Sequence, residues 1–192
     1  EVRLIPGNGR VISVWPVRTG VAVEDGVVYF GAGLFPKEGI YLCALDALSG
    51  ARIWVRRLSN ISISPQGYLL LSPQRIYLPN GRVNPAVFDR RTGEFLKMLP
   101  CPRAEGGSFV LLTGDMLISG PGSEGKLSGF DPRSCDRIAT FNGRCMVVGG
   151  GTAYLLTDAE LVAIDRAKYL RLKGKLRPPA VLERARIWRR VL

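Results

Sequence analysis

The 192-residue chain contains no histidine. That absence excludes a Ser-His-Asp or Cys-His catalytic centre, a histidine metal ligand and haem attachment at a Cys-x-x-Cys-His site. The four cysteines, Cys43, Cys101, Cys135 and Cys145, form no Cys-x-x-Cys pair, which removes zinc and iron–sulfur readings. Spacing leaves a Cys135–Cys145 disulfide open. Cys43 lies within the apolar run YLCAL and reads as a buried thiol. No stretch approaches the ~18 consecutive apolar residues of a membrane span. The sequence opens EVRLIPGNGR, with no initiator methionine, basic leader or apolar leader core. The expectation is therefore that a signal has been removed or that further chain precedes Glu1.

Acidic residues are scarce in one place only. The chain carries 27 Lys and Arg against 16 Asp and Glu, a formal charge of +11. Between Arg166 and Leu192 ten residues are basic and Glu183 alone is acidic, a net +9, whereas the preceding 165 residues net +2. The composition is 46% hydrophobic and 22% charged, that of a chain with a substantial core. It reads as a nearly neutral body followed by a basic tail.

The body repeats. In the first copy GVAV (20–23), the turn EDG, VVYFG (27–31), YLCALD (41–46), the turn ALSG and ARIWV (51–55) describe four short strands in an antiparallel meander. The second copy runs through YLLLS (68–72), RIYLP (75–79), PAVFD (85–89) and EFLKM (94–98). The third uses SFVLL (108–112), MLISG (116–120), KLSGFD (126–131) and DRIAT (136–140). The fourth uses CMVVG (145–149), AYLLT (153–157) and ELVAID (160–165). Each third strand ends on an aspartate. Asp46, Asp89, Asp131 and Asp165 are spaced by 43, 42 and 34 residues, close to the ~40–50 of a propeller blade. A carboxylate there locks the following turn by accepting its amide hydrogens, and this structural role is preferred over metal binding or catalysis. Four residues on, Gly50 and Gly93 supply positive φ, whereas Cys135 and Tyr169 in the last two copies predict altered turns.

The stretch Ala44-Leu45-Asp46-Ala47-Leu48-Ser49-Gly50-Ala51-Arg52-Ile53-Trp54 resembles the AxDxxTGxxxW signature of the pyrroloquinoline-quinone-type (PQQ-like) β-propeller repeat family, and DGVVYFG ahead of it fits the same repeat. Asp89–Gly93 matches again, with Lys97 at the tryptophan position. The resemblance covers residues 10–166 and implies an all-β fold of four-stranded antiparallel blades, about four in a partial ring. It further implies that the tryptophan docks neighbouring blades. The reading places a partial blade over residues 1–16, with Gly9–Trp15 as the last strand of a blade whose earlier strands are missing. Blades follow over 17–58, 59–103, 104–142 and 143–166. The segment after Asp165 is a poor strand. Either the N-terminal strand closes the last blade or the ring is truncated, and truncation is favoured because an unpaired edge is a liability.

The family's dehydrogenases place the quinone over a tryptophan, against a disulfide between adjacent cysteines, with calcium held by Glu, Asn and Asp. The sequence has no adjacent cysteines and no acidic loop of calcium-binding spacing. No residue therefore receives a catalytic or metal-binding assignment, and no cofactor is expected in this chain. PQQ with calcium belongs only to the alternative, a PQQ-dependent dehydrogenase whose site lies mostly outside it. Gly106-Gly107, PGSEGK (121–126) and Gly149–Gly151 read as hairpin turns rather than phosphate loops. Asn60-Ile61-Ser62 fits a glycosylation sequon, and Ile61–Tyr68, with polar residues near where propeller loops approach the axis, reads as an inter-blade crossover in preference to a ligand or partner surface. In the tail, Pro178-Pro179 precedes Val181, Leu182, Ala185, Trp188 and Leu192 at helical spacing. This predicts a short C-terminal basic helix within a helical tail over 167–192. It docks on the propeller or a following domain, in preference to a membrane surface, and nucleic acid is not expected as a partner. The function expected is a non-catalytic scaffold for a protein partner. The repeats resemble those of bacterial extracytoplasmic assembly lipoproteins and sensor ectodomains, which implies a periplasmic or extracytoplasmic location.

Overall fold

The computed structural model describes residues 3–7, 9–58, 63–81, 83–101, 107, 109–121 and 125–192. The sequon at Asn60–Ser62, Gly106 and the centre of the 121–126 turn lie outside these residues. Two compact units divide the chain, Glu1–Leu99 and Pro100–Leu192.

In the first unit, β1 (Leu4–Gly7) and β2 (Arg10–Ser13) form a two-stranded hairpin. The first blade follows as β3 (Ala22–Glu24), β4 (Val27–Ala32), β5 (Tyr41–Asp46) and β6 (Arg52–Arg57), each paired antiparallel to the next. The second blade has the same order, with β7 (Leu70–Leu71), β8 (Arg75–Asn80), β9 (Val83–Asp89) and β10 (Phe95–Met98). The middle strands are buried on both faces, as Leu42, Cys43 and Ala44 in β5 and Ala86, Val87 and Phe88 in β9 show. They therefore read as continuous apolar runs rather than alternating ones. Leu42, Ala44, Trp54, Ile76, Leu78 and Phe88 share one core, in which each buried large side chain contributes ~1.5–3 kcal/mol.

In the second unit, the third blade is β11 (Phe109–Leu112), β12 (Leu117–Gly120), β13 (Lys126–Phe130) and β14 (Arg137–Asn142). The fourth begins with β15 (Cys145–Gly149), β16 (Thr152–Leu156) and β17 (Glu160–Asp165). The chain then leaves the sheet as α1 (Arg166–Leu172) and α2 (Pro178–Ala185), and returns as β18 (Arg186–Val191) antiparallel to β17.

Three expectations are corrected. The C-terminal helix ends at Ala185, and Trp188 lies in the fourth strand of the fourth blade. The exposed edge of β17 supplies a ladder of hydrogen bonds that outweighs the local helical spacing. That blade is thus completed by the chain's own C-terminal residues and not by the N-terminal strand. Gly9–Trp15 contributes β2, which pairs with β1 in a two-stranded sheet. The turn of the third copy is not altered: Cys135 adopts φ 63° and its amide donates to the Asp131 carbonyl at 2.8 Å. The fourth copy does depart, with Asp165 capping α1.

Candidate functional site

The four anchor aspartates sit at strand ends, each engaged by its own turn. The Asp46 carboxylate accepts from Ser49 Oγ at 2.6 Å and from the amides of Ser49 and Leu48 at 2.7 and 3.2 Å. Asp89 accepts from the Thr92 amide at 2.8 Å and its hydroxyl at 3.0 Å. Asp131 accepts from the amides of Arg133 and Ser134 at 2.8 and 2.9 Å, and Asp165 from Lys168 N at 2.8 Å. These bonds hold three of the carboxyls below their ordinary range, chiefly through Ser49 Oγ for Asp46, the Thr92 amide for Asp89 and the Ser134 amide for Asp131. One structural task per repeat accounts for each.

Two arginines form interactions that the sequence reading missed. Arg90 directly follows the second anchor and its side chain is only 8% exposed. It pairs with Glu24, the last residue of β3 in the preceding blade, at 3.0 Å and with Asp25 in the turn that follows at 2.9 Å. Its Nε donates to the Tyr29 hydroxyl at 3.2 Å, and its guanidinium carbon lies 5.4 Å from that ring's centre. Arg166 follows the fourth anchor in the same way. It pairs with Asp115 in the β11–β12 turn and donates to the Gly150 carbonyl at 2.9 Å. Burial on its own would raise the Asp115 carboxyl, but hydrogen bonds from Thr113 and Arg166 outweigh it and leave the group below its usual range. The signal available in the sequence was a basic residue after every second anchor, matched by an acid in the first hairpin turn of the copy before.

A cross-strand row recurs in the first and fourth blades. Tyr29 pairs with Ala44 and Ala44 with Trp54, whose ring lies 6.1 Å from that of Tyr29 at 50°. Tyr154 pairs with Ala163 and Ala163 with Trp188, again with ring centres 6.1 Å apart, at 47°. Both tryptophans follow Ala-Arg-Ile, at 51–54 and 185–188, and a bulge sits one residue earlier in each ladder. Trp54 is 8% exposed because the Asp89–Gly93 turn covers it. A Cβ on Gly93 would lie 2.6 Å from Cε3 and Cζ3 of Trp54. Trp188 is 40% exposed.

The segment 63–68 is drawn across the first and second blades. Gly67 bridges Thr19 and Gln66 bridges Asn80, both in parallel sense. The Tyr68 ring lies over Gly20, where a Cβ would meet it at 2.2 Å. Ser64, Gln66 and Asn80 line an open cavity of about 350 Å3 together with Pro36, Ile63, Gly81 and Val83. Asn80 is buried, and its carbonyl oxygen accepts from the Ser64 amide. None of these lining residues is ionisable. In the second unit, a cavity of about 30 Å3 beside the Arg166–Asp115 pair is lined largely by apolar side chains, among them Met116, Phe141 and Tyr169. Cys43 is no nucleophile at neutral pH, since burial pushes its thiol up to about 11. Cys135 and Cys145 are not joined in a disulfide.

Among solved structures, the chain is similar to BamB from Moraxella catarrhalis, with a TM-score of 0.61 and 21% identity over 79% of this chain and 47% of that one. It is similar to a quinohemoprotein alcohol dehydrogenase from Comamonas testosteroni, with a TM-score of 0.61 and 14% identity over 92% of this chain and 35% of that one. A europium-containing methanol dehydrogenase matches with a TM-score of 0.54 and 17% identity, over 69% and 26%. The fold is that of a PQQ-like β-propeller, built of four-stranded antiparallel blades. The chain spans about half or less of the length of these three structures. No protein-family profile and no curated protein matches its sequence.

The three tryptophans have different surroundings. Trp54 is closed over by the Gly93 turn. Trp15 is held at its edge, its Nε1 donating to the Glu38 carbonyl at 2.9 Å with the Tyr41 ring 6.4 Å away. Trp188 is flanked by Arg189 and Arg190, with Glu160 on the neighbouring strand already paired to Arg189 at 3.7 Å. Among the described residues no three carboxylates or cysteines converge on one point. No helix among them is long and apolar enough to cross a membrane.

Proposed function

We propose that the chain is a non-catalytic PQQ-like β-propeller scaffold that presents its loops and blade faces to a protein partner outside the cytoplasm. The observation that supports it most is how the ionisable side chains are used. The anchor carboxylates close turns, Arg90 and Arg166 clamp adjacent blades, and the 350 Å3 cavity is lined by neutral groups. Such a surface recognises by shape and hydrogen bonding. The extracytoplasmic setting rests on the family resemblance of the repeats.

A dehydrogenase portion is the second reading, supported by the 92% of this chain that superposes on the quinohemoprotein alcohol dehydrogenase. Thermal melting of the purified chain with PQQ and calcium tests between them. The scaffold reading expects no shift. Stabilisation of about 3 kcal/mol at ligand a hundredfold above its dissociation constant would overturn it.

A further inference from the structure

We propose that the two-helix excursion between β17 and β18 is a docking surface for an acidic, Asp- and Glu-rich segment of a separate protein. The inference rests on the scaffold reading and names the chemistry of its partner. The first blade passes from its third strand to its fourth in five residues, 47–51, whereas the fourth blade uses twenty, 166–185. Those twenty hold seven basic residues and one acid, Glu183. The first blade closes without any such addition, so blade closure does not explain it. The excursion is nonetheless built into the fold. Its helices α1 and α2 pack on each other and on β17, and Tyr169, Val181 and Ala185 enter the core beneath them. The Arg166 amide donates to the Gly151 carbonyl at 3.0 Å, which holds the excursion at the end of the sheet beside the β15–β16 turn. Blades pack on one another through their sheet faces, so this end is not the surface on which a further blade is received.

The outward side of the excursion is cationic. Lys168, Arg171, Lys175, Arg177 and Arg184 are all exposed, and none forms an ion pair among the described residues. Glu183 is already held by Arg186, and Arg166 by Asp115. The free cations also do nothing for the helices that carry them. Neither helix has an acid in its first turn. Lys168 lies in the first turn of α1 and Arg177 caps α2, the ends at which a cation opposes the macrodipole. Packing therefore accounts for the apolar side of the excursion and leaves its charge unexplained. Three kinds of anionic partner are separated by what else they require. A lipid surface takes a helix through an exposed apolar face, and no large apolar side chain of 166–185 is exposed. Single-stranded nucleic acid adds base stacking, and the one aromatic of the excursion, Tyr169, is buried. An acidic protein segment needs neither, and a guanidinium engages both oxygens of a carboxylate at once.

Fluorescence anisotropy of a labelled Glu-rich peptide with the 192-residue chain tests this. A Gln-rich peptide, phosphatidylglycerol-containing vesicles and single-stranded DNA of equal charge serve as the other probes. At about 0.05 M salt the Glu-rich peptide should bind with a dissociation constant of about 10–100 µM, weakening about tenfold by about 0.3 M. The Gln-rich peptide should not bind. Combining Lys168→Gln, Arg171→Gln, Lys175→Gln and Arg177→Gln should raise that constant about tenfold or more. Combining Arg10→Gln, Lys37→Gln, Arg52→Gln and Arg57→Gln, at four exposed positions of the first unit, lowers the net charge equally and should raise it less than about threefold. The first variant should melt no lower than wild type, because it removes cations that oppose the helix ends. Equal weakening in the two variants reduces the effect to net charge and overturns the proposal. So does a wild type that ignores the Glu-rich peptide, tighter binding to the vesicles or the DNA, or a first variant that melts markedly lower. Stabilisation by PQQ and calcium instead removes the scaffold reading itself, so the two failures are told apart.

Discussion

Adding one methyl group to each of two matching turns separates backbone strain from interblade packing. Gly50 and Gly93 have nearly the same φ, 69° and 72°, in turns closed by the same hydrogen bond. An alanine at either position therefore carries the left-handed cost of ~1–2 kcal/mol for an L-residue. Only at Gly93 does the new Cβ meet anything: Trp54 ring carbons at 2.6 Å and Arg56 Cγ at 2.9 Å. Trp54 is packed on Tyr29 and 8% exposed, so it cannot retreat without opening the core, and overpacking adds ~1–3 kcal/mol. Gly93→Ala should thus destabilise by about 2–5 kcal/mol in all and Gly50→Ala by about 1–2. In a Trp54→Ala background the cost of Gly93→Ala falls toward the strain, with only the flexible Arg56 stem left to move aside, a coupling of about 1–3 kcal/mol. Urea unfolding followed by far-UV circular dichroism measures the wild type and all four variants. Equal costs at the two glycines, or a double mutant that is merely additive, would refute the reasoning that Trp54 rests on this turn.

Other perturbations probe the remaining contacts. Trp54→Ala alone should cost about 3–5 kcal/mol in urea unfolding, as for a buried aromatic; a neutral result removes it from the core. Arg90→Met keeps the stem but drops the bonds to Tyr29, Glu24 and Asp25. Because the two acids are 45% and 78% exposed and can be rehydrated, the loss should be about 1–3 kcal/mol, short of the ~3–5 for breaking a fully buried pair. A loss above that range means the acids are less accessible than their positions indicate. Asp46, Asp89 and Asp131 all have depressed folded values, so their contribution is present above the ordinary carboxylate pKa of about 4 and is lost as pH falls through the lower folded values. Stability should therefore decline on acidification below about pH 4, less steeply in Asp89→Asn, and a profile flat to about pH 2 contradicts the turn bonds. Cys43, with its thiol at about 11, should resist maleimide at neutral pH while half-buried Cys145 labels first. Peptide mass mapping reads the order, and the reverse order would refute it.

The blades were legible because their signals are local. Each strand is a short apolar run bounded by Gly, Pro or Asp, and each anchor acts on amides two and three residues away, so one copy suffices to see the device. The fourth blade's last strand was not legible by that route. Twenty residues, 166–185, stand where the first blade uses five, 47–51, and Val181, Leu182 and Ala185 do form a helix, so the helical spacing was followed past its end. What turns Arg186 onward into a strand is the free edge of β17, a partner distant in sequence. The repeated Ala-Arg-Ile-Trp at 51–54 and 185–188 was the available mark of it.

The arginine clamps were hidden for a related reason, the period used to search. Arg90 and Arg166 follow the second and fourth anchors, while Ala47 and Pro132 follow the first and third. The acids they meet lie in the first hairpins of the first and third blades, Glu24-Asp25 and Asp115, whereas the corresponding turns of the second and fourth, Ser72–Gln74 and Gly150-Gly151, contain none. Charge therefore repeats every two blades, not every one. Each compact unit holds one complete clamp, so the pair of blades is the smallest piece of this chain that satisfies its own buried guanidinium. Between the first and second blades the clamp and the aromatic contact act together, with Arg90 on Glu24 and Asp25 and Trp54 under the Gly93 turn.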